Sequence, residues 1–205
     1  MRVDETLRRE IVAAVQRIEQ ASAAEVVVTI VPRSAAHWDV TLAASLAAVL
    51  VFQAATAAFS PDLSALHVAI DSAGLALLVG LVGRALPPLE RLLLPGRAKE
   101  RRVEVGAESA FCRQGIFRTR SRTGTLVYLS LLERRAVLLP DDGLARAIPS
   151  ESLAALRAET ARLFDAPDAA RALLAVLDHL RRVAVRHLPA RPDDVNELPD
   201  APVTG

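Results

Sequence analysis

Residues Val40 to Phe59 read VTLAASLAAVLVFQAATAAF, twenty in a row without a formal charge. About twenty apolar residues, rising 1.5 Å each, is the length of α-helix that crosses a hydrocarbon core ~30 Å thick. Ser60-Pro61-Asp62 follows as a turn signal. A second apolar stretch then runs from Leu63 to Leu86, interrupted by His67, Asp71 and Arg84 and ended by Pro87-Pro88. Its Gly74, Gly80 and Gly83 suit a membrane helix packed closely against a partner. The two stretches read as a transmembrane hairpin over residues 38–95; two buried helices of a soluble bundle are the competing reading. A secretory signal would begin with a basic segment at the chain start, and here an amphipathic segment comes first.

Composition points the same way. Hydrophobic residues make up 52% of the 205-residue chain while 24% are charged, and the mean hydropathy is +0.28. Such a mixture folds most readily if the two populations are segregated, as the apolar stretches show. Aromatics are only 3% and the net charge is +1. The chain therefore lacks both the stacking surface and the charge excess of a nucleic-acid binder. Nearly all basic residues are Arg, with Lys99 the single lysine, so Arg-rich runs carry little information of their own. Cys112 is the only cysteine, which excludes an intrachain disulfide and any multi-cysteine metal site. It reads as a small buried apolar residue.

Flanking charge sets the expected orientation. Arg33 precedes the first span; Arg84, Arg91, Arg97, Lys99, Arg101 and Arg102 follow the second; the loop between carries only Asp62. Positive-inside places both termini and the polar sequence in the cytoplasm and the loop outside, with the lipid bilayer as the first partner. His37 and Trp38 suit an interfacial anchor. Asp71 and His67, four residues apart on one helical face, are a candidate polar pair within the membrane. The alternative is a span shifted toward Arg84, which leaves Asp71 near the headgroups.

Before the hairpin, in residues 1–36, Leu7, Ile11, Val15 and Ile18 mark an amphipathic helix, and Glu25-Val-Val-Val-Thr-Ile-Val31 a β-branched strand stopped by Pro32. A lone strand needs partners, so the hairpin interrupts one folding unit that resumes over 97–187. There the pattern predicts a basic helix from Arg97 to Ile116, stopped near Gly115, and a strand from Thr125 to Leu131. A turn at Glu133-Arg134-Arg135 and a short strand from Ala136 to Leu139 come next, then a turn at Pro140-Asp141-Asp142-Gly143. A helix capped by Ser150 and a last helix from Asp168 to His187 complete the unit. His179 reads as a partly exposed residue of that last helix. Residues 188–205, proline-rich and net acidic, read as a disordered tail. The expected class is α/β, a small mixed sheet flanked by helices with an inserted two-helix transmembrane hairpin.

The stretch FCRQGIFRTRSRTGTLVYLSLLERRAVLLPDDGL, Phe111 to Leu144, resembles the TPM domain family, which includes thylakoid-lumen and photosystem-repair proteins and many bacterial membrane proteins. The resemblance rests on Phe111 to Gly115, Thr123-Gly124 before a strand, Ser130 to Arg135, and the acidic-Gly run Asp141 to Gly143. It extends to the Glu25-Val-Val-Val strand and is closest to a bacterial membrane subgroup with a hairpin inserted after the first strand. It implies an α/β/α sandwich. Some family members are similar to weak metal-dependent acid phosphatases, and some bind calcium at carboxylates near strand ends. Asp141 and Asp142 occupy the matching place, with Glu133 farther off. The family's Gly-Tyr-Gly-Leu-Glu type of loop is replaced here by Asp-Asp-Gly-Leu-Ala, residues 141–145.

From the residues themselves, Asp141-Asp142-Gly143 is first a turn signal; calcium wants six to eight oxygens, and two adjacent aspartates supply too few alone. Arg134-Arg135 reads as a solvated hairpin tip, and Arg97 to Arg102 as a basic anchor beside anionic headgroups. There is no phosphate-binding Gly loop, nucleophile elbow or zinc-type His spacing. The expectation is an inner-membrane protein that presents a TPM-like domain at the cytoplasmic face and binds or assembles a membrane protein complex. The alternatives are a tethered acid phosphatase using Asp141, Asp142 and a divalent cation such as calcium, and a channel component that depends on Asp71.

Overall fold

The structure is a computed structural model and describes residues 1, 3–34, 38–60, 62–85, 96–190 and 197–204. His37, Pro61, Pro87-Pro88, Arg91 and residues 191–196 lie outside the described residues, as do the side chains of Trp38 and Arg84. The chain forms two compact units: residues 1–34 with 99–205, and residues 35–98.

The first unit is α/β. Helix α1 (Glu5–Glu19) opens at Asp4, whose carboxylate accepts from the Leu7 N–H at 2.8 Å. Its Leu7, Ile11, Ala14, Val15 and Ile18 are buried in one stripe at helical spacing. Strand β1 (Glu25–Val31) follows, and after the two helices of the second unit come α4 (Gly96–Arg113), β2 (Gly124–Ser130) and β3 (Arg135–Pro140). Three more helices, α5 (Asp142–Ala147), α6 (Ser150–Ala161) and α7 (Ala169–His187), precede a two-residue strand β4 (Val203–Thr204).

The sheet order is β3-β2-β1-β4. β1 and β2 run parallel in unbroken register from Glu25↔Gly124 to Val31↔Ser130. β3 returns antiparallel to β2, and β4 lies parallel to β1 at Thr29↔Val203 and Ile30↔Thr204. A strand covered on both faces reads as continuous hydrophobic sequence, and all seven residues of β2 are buried. On one face Val26, Val28, Ile30, Val127 and Leu129 meet the apolar stripes of α1, α6 and α7; Leu173, Leu177 and Leu180 of α7 are fully buried there. On the other face Val27, Leu126 and Tyr128 meet Val103, Ala107 and Ala110 of α4. Edge strand β3 alternates, burying Ala136 and Leu138, and ends on Pro140, which edges tolerate.

Two backbone approaches fix the loops around β2. A Cβ on Gly124 would lie 2.5 Å from the Ile116 carbonyl oxygen, and one on Gly143 2.3 Å from that of Ser121. Gly115, with φ 67°, turns the chain out of α4.

The second unit is a helical hairpin, α2 (Trp38–Phe59) and α3 (Ala65–Ala85). Both helices are long and apolar enough to cross a membrane. They meet through small residues: Ser45 and Ser72 are buried, the Ser45 hydroxyl donates to the Ala76 carbonyl at 3.3 Å, and Gly83 packs against Thr41.

Four sequence expectations are corrected. Residues 197–204, assigned to a disordered tail, run along the first unit: Val203–Thr204 joins the sheet and the Leu198 N–H donates to Glu25 at 3.3 Å. Asp141 begins a helix as its N-cap instead of closing a simple turn. Ser150 lies inside α6, with Pro149 at the cap position and no side-chain cap. Cys112 is exposed, because α4 turns Val103, Ala107 and Ala110 inward and position 112 falls off that stripe.

Candidate functional site

Asp141 and Asp142 are adjacent in sequence and separate in role. The Asp141 side chain, 3% exposed, lies under Arg122, with Nε to Oδ2 at 2.8 Å and a terminal guanidinium nitrogen to Oδ1 at 2.9 Å. The contact to Oδ1 is a charge-assisted hydrogen bond and the contact to Oδ2 an ion pair, and together they raise the Arg122 pKa. Asp141 Oδ1 also accepts from the Asp142 N–H at 2.8 Å as it caps α5. Arg122 reaches this position through a left-handed backbone, φ 57°, and its carbonyl accepts from the N–H groups of Gly143 and Leu144. The Asp142 side chain is 75% exposed and touches Arg122 only at 3.4 Å.

A calcium ion therefore does not fit these two residues. One carboxylate is already paired with a guanidinium and caps a helix, and the other is a single exposed ligand where six to eight oxygens are needed. Among the described residues no group of three or more His, Cys, Asp or Glu is arranged to hold a metal ion. Glu133, the more distant candidate, is buried at 3% exposure and is engaged locally. The Ser130 hydroxyl donates to it through a short hydrogen bond, and the Ser34 N–H faces both of its oxygens at 3.4 Å. The carboxyl ends of adjacent parallel strands are where open α/β sheets bind ligands. Here Glu133 closes that end by tying the exit of β1 to the β2–β3 turn. Beside it, burial pushes the Tyr128 phenol above its ordinary pKa.

His67 and Asp71 both lie exposed on α3. The His67 ring hydrogen-bonds the Ser64 hydroxyl at 2.6 Å through Nδ1, and no bond joins it to Asp71 among the described contacts. In the first unit the Arg134 guanidinium donates to the Phe164 carbonyl at 2.7 Å, so the hairpin tip is stitched to the segment after α6. His179, half-buried on α7, pairs with Glu159 at 2.6 Å.

One polar cluster had no signature in the sequence. Glu19 at the end of α1 accepts from the Val26 N–H at 3.1 Å and shares a hydrogen bond with Asp200 of the C-terminal segment, beside Glu25. Burial, with the charges of Glu25 and Asp200, pushes Glu19 from 4.5 up to about 8. Gln16 donates to the same Asp200 at 2.9 Å. No spacing rule joins position 19 to position 200; only the return of the chain along β1 brings them together.

These geometries make two predictions. Asp141→Ala removes a helix cap and leaves Arg122 without its main acceptor, and costs about 1–3 kcal/mol of stability, whereas Asp142→Ala stays within about 0.5 kcal/mol. Denaturant melts of both variants check this, and added calcium leaves each melt unchanged. For Glu19, the native state holds a proton that the unfolded chain gives up near 4.5. Its contribution is therefore greatest at acid pH and declines as pH rises through about 8. Glu19→Gln keeps the acceptor for Val26 and a donor for Asp200, so its stability loses this component of the decline; wild-type and variant melts across that pH range give the difference.

No family model and no curated protein matches the chain. Among solved structures, the chain is similar to the NMR structure of BA42 protein from the psychrophilic bacterium Bizionia argentinensis, with a TM-score of 0.62 over 100% of this chain and 97% of that one. Identity is 13%, so the likeness is one of fold.

Proposed function

We propose that α2 and α3 cross a bacterial cytoplasmic membrane as a hairpin, with both termini and the α/β unit on the cytoplasmic side. In this reading the unit is a TPM-like sandwich that binds or assembles a membrane protein complex without chemistry of its own. The observation that carries the membrane assignment is the outer surface of the hairpin. Leu42, Leu46, Leu50, Val51, Leu66, Ile70, Leu77, Leu78 and Leu81 are each more than half exposed. Keeping one such side chain out of water is worth about 1.5–3 kcal/mol. Nine of them together rival the ~5–15 kcal/mol that holds a typical domain folded. Water is therefore the wrong solvent for this surface, and lipid the matching one.

The absence of charge from Val40 to Phe59 and the basic residues after α3 support the stated orientation. Helices on both faces of the sheet agree with the sandwich that the TPM resemblance implies. The role in assembly is supported by how the polar groups are used. Asp141, Glu133 and Glu19 each serve the fold, which leaves the phosphatase alternative without its carboxylate pair.

Exposed Cys112 is a built-in reporter of sidedness. A membrane-impermeant maleimide should label it only from the cytoplasmic side of inverted vesicles. Asp62→Cys in a Cys112→Ser background should label only from the opposite side. Labelling of both from one side, or release of the chain by alkaline carbonate, contradicts the hairpin. Gently solubilised from native membranes, the chain should migrate with a second membrane polypeptide; migration alone contradicts the assembly role.

A further inference from the structure

A cleft of about 250 Å³ lies where the end of α4 meets the returning C-terminal segment, lined by Arg113, Gln114, Gly115, Arg118, Thr119 and Glu197. Its floor is built. The Gln114 side chain exchanges hydrogen bonds with Thr29 of β1, donating at 2.9 Å and accepting at 3.2 Å, and Thr29 is 3% exposed. Gly115 turns the chain with φ 67° and leaves room for the Arg118 stem, whose Cδ would lie 3.4 Å from a Cβ at that position. The Arg118 guanidinium is held over the Phe117 ring at 5.5 Å.

The donors in this cleft exceed its acceptors. Arg113 and Arg118 make no ion pair among the described residues. Thr119 is 5% exposed, and its hydroxyl is buried without a hydrogen-bond partner. A buried hydroxyl left without a hydrogen bond costs free energy, and Thr119 is one of the residues lining the cleft. The opposing charge is the Glu197 carboxylate, which accepts from the Arg120 N–H at 3.0 Å. Two guanidiniums and a hydroxyl beside one already engaged carboxylate make a site for a single small anion with several oxygens. The volume is below the ~300–1,000 Å³ of sites for drug-sized ligands.

We propose that this cleft binds a small oxyanion, a phosphate or carboxylate group, between Arg113 and Arg118 with the Thr119 hydroxyl as its third donor. The site is independent of the membrane assignment, since every residue in it belongs to the α/β unit.

The test is calorimetric titration of the full chain, in discs of zwitterionic lipid, with inorganic phosphate and separately with succinate. At least one should bind saturably at one per chain. Arg118→Gln and Thr119→Val should each weaken it at least tenfold with unchanged thermal melting, and Thr119→Ser, which restores the hydroxyl, should bind like wild type. Repeating the phosphate titration in discs containing phosphatidic acid separates the sources. Weaker apparent binding there identifies a lipid headgroup as competitor, and unchanged binding a soluble ligand. The proposal is overturned if neither anion saturates, or if Arg118→Gln and Thr119→Val bind as wild type does.

Discussion

The parallel pairing of β1 with β2 is the constraint on which the rest of this structure depends. Each residue from Glu25 to Val31 faces its partner from Gly124 to Ser130 without a bulge, yet the apolar hairpin and α4 lie between them in the chain. Parallel neighbours need a crossover connection, and here the connection contains both the hairpin and the helix that covers one sheet face. Chain continuity then requires that the residues entering and leaving the hairpin return to the same folding unit. If the hairpin crosses a membrane, both of its ends must open on the side where that unit folds.

Polar groups mark the seams of this arrangement. The backbone ladder continues past the end of β1, where the Leu131 and Leu132 N–H groups donate to the Val31 and Pro32 carbonyls. Glu133 then holds the Ser34 N–H. Asp141 and Arg122 join the loops on either side of the β2–β3 hairpin, and the carboxyls of Glu19 and Glu25 hold the C-terminal segment against the start of β1. Buried carboxyls are costly unless paired, and each of these has a donor at hand.

What could be read from the sequence was what local physics determines. The charge-free run from Val40, the β-branched run from Glu25 and the stripe Leu7-Ile11-Val15-Ile18 each carry their structure in their own spacing. What could not be read depends on partners distant in the chain. β4 is two residues long in a proline-rich segment and exists only because β1 offers an edge. Asp141-Asp142-Gly143 suggested a turn or a metal site because nothing local shows that Arg122, in a left-handed conformation, comes to lie over Asp141. Cys112 was misplaced for a simpler reason: neighbouring Phe111 suggested burial, while the stripe Val103-Ala107-Ala110 turns position 112 outward. The cleft beside Arg118 was equally invisible, since its walls come from residues 113–115, 118–119 and 197–198.

The account stands or falls on β1 and β2 forming one cooperative unit across the inserted hairpin. Native-state amide hydrogen exchange of the chain in lipid discs measures this directly. The account predicts that the amides of Val27 to Ile30 and of Leu126 to Leu129 are among the most protected and open with the same free energy. Fast, independent exchange in residues 25–31 while residues 124–130 stay protected would contradict it.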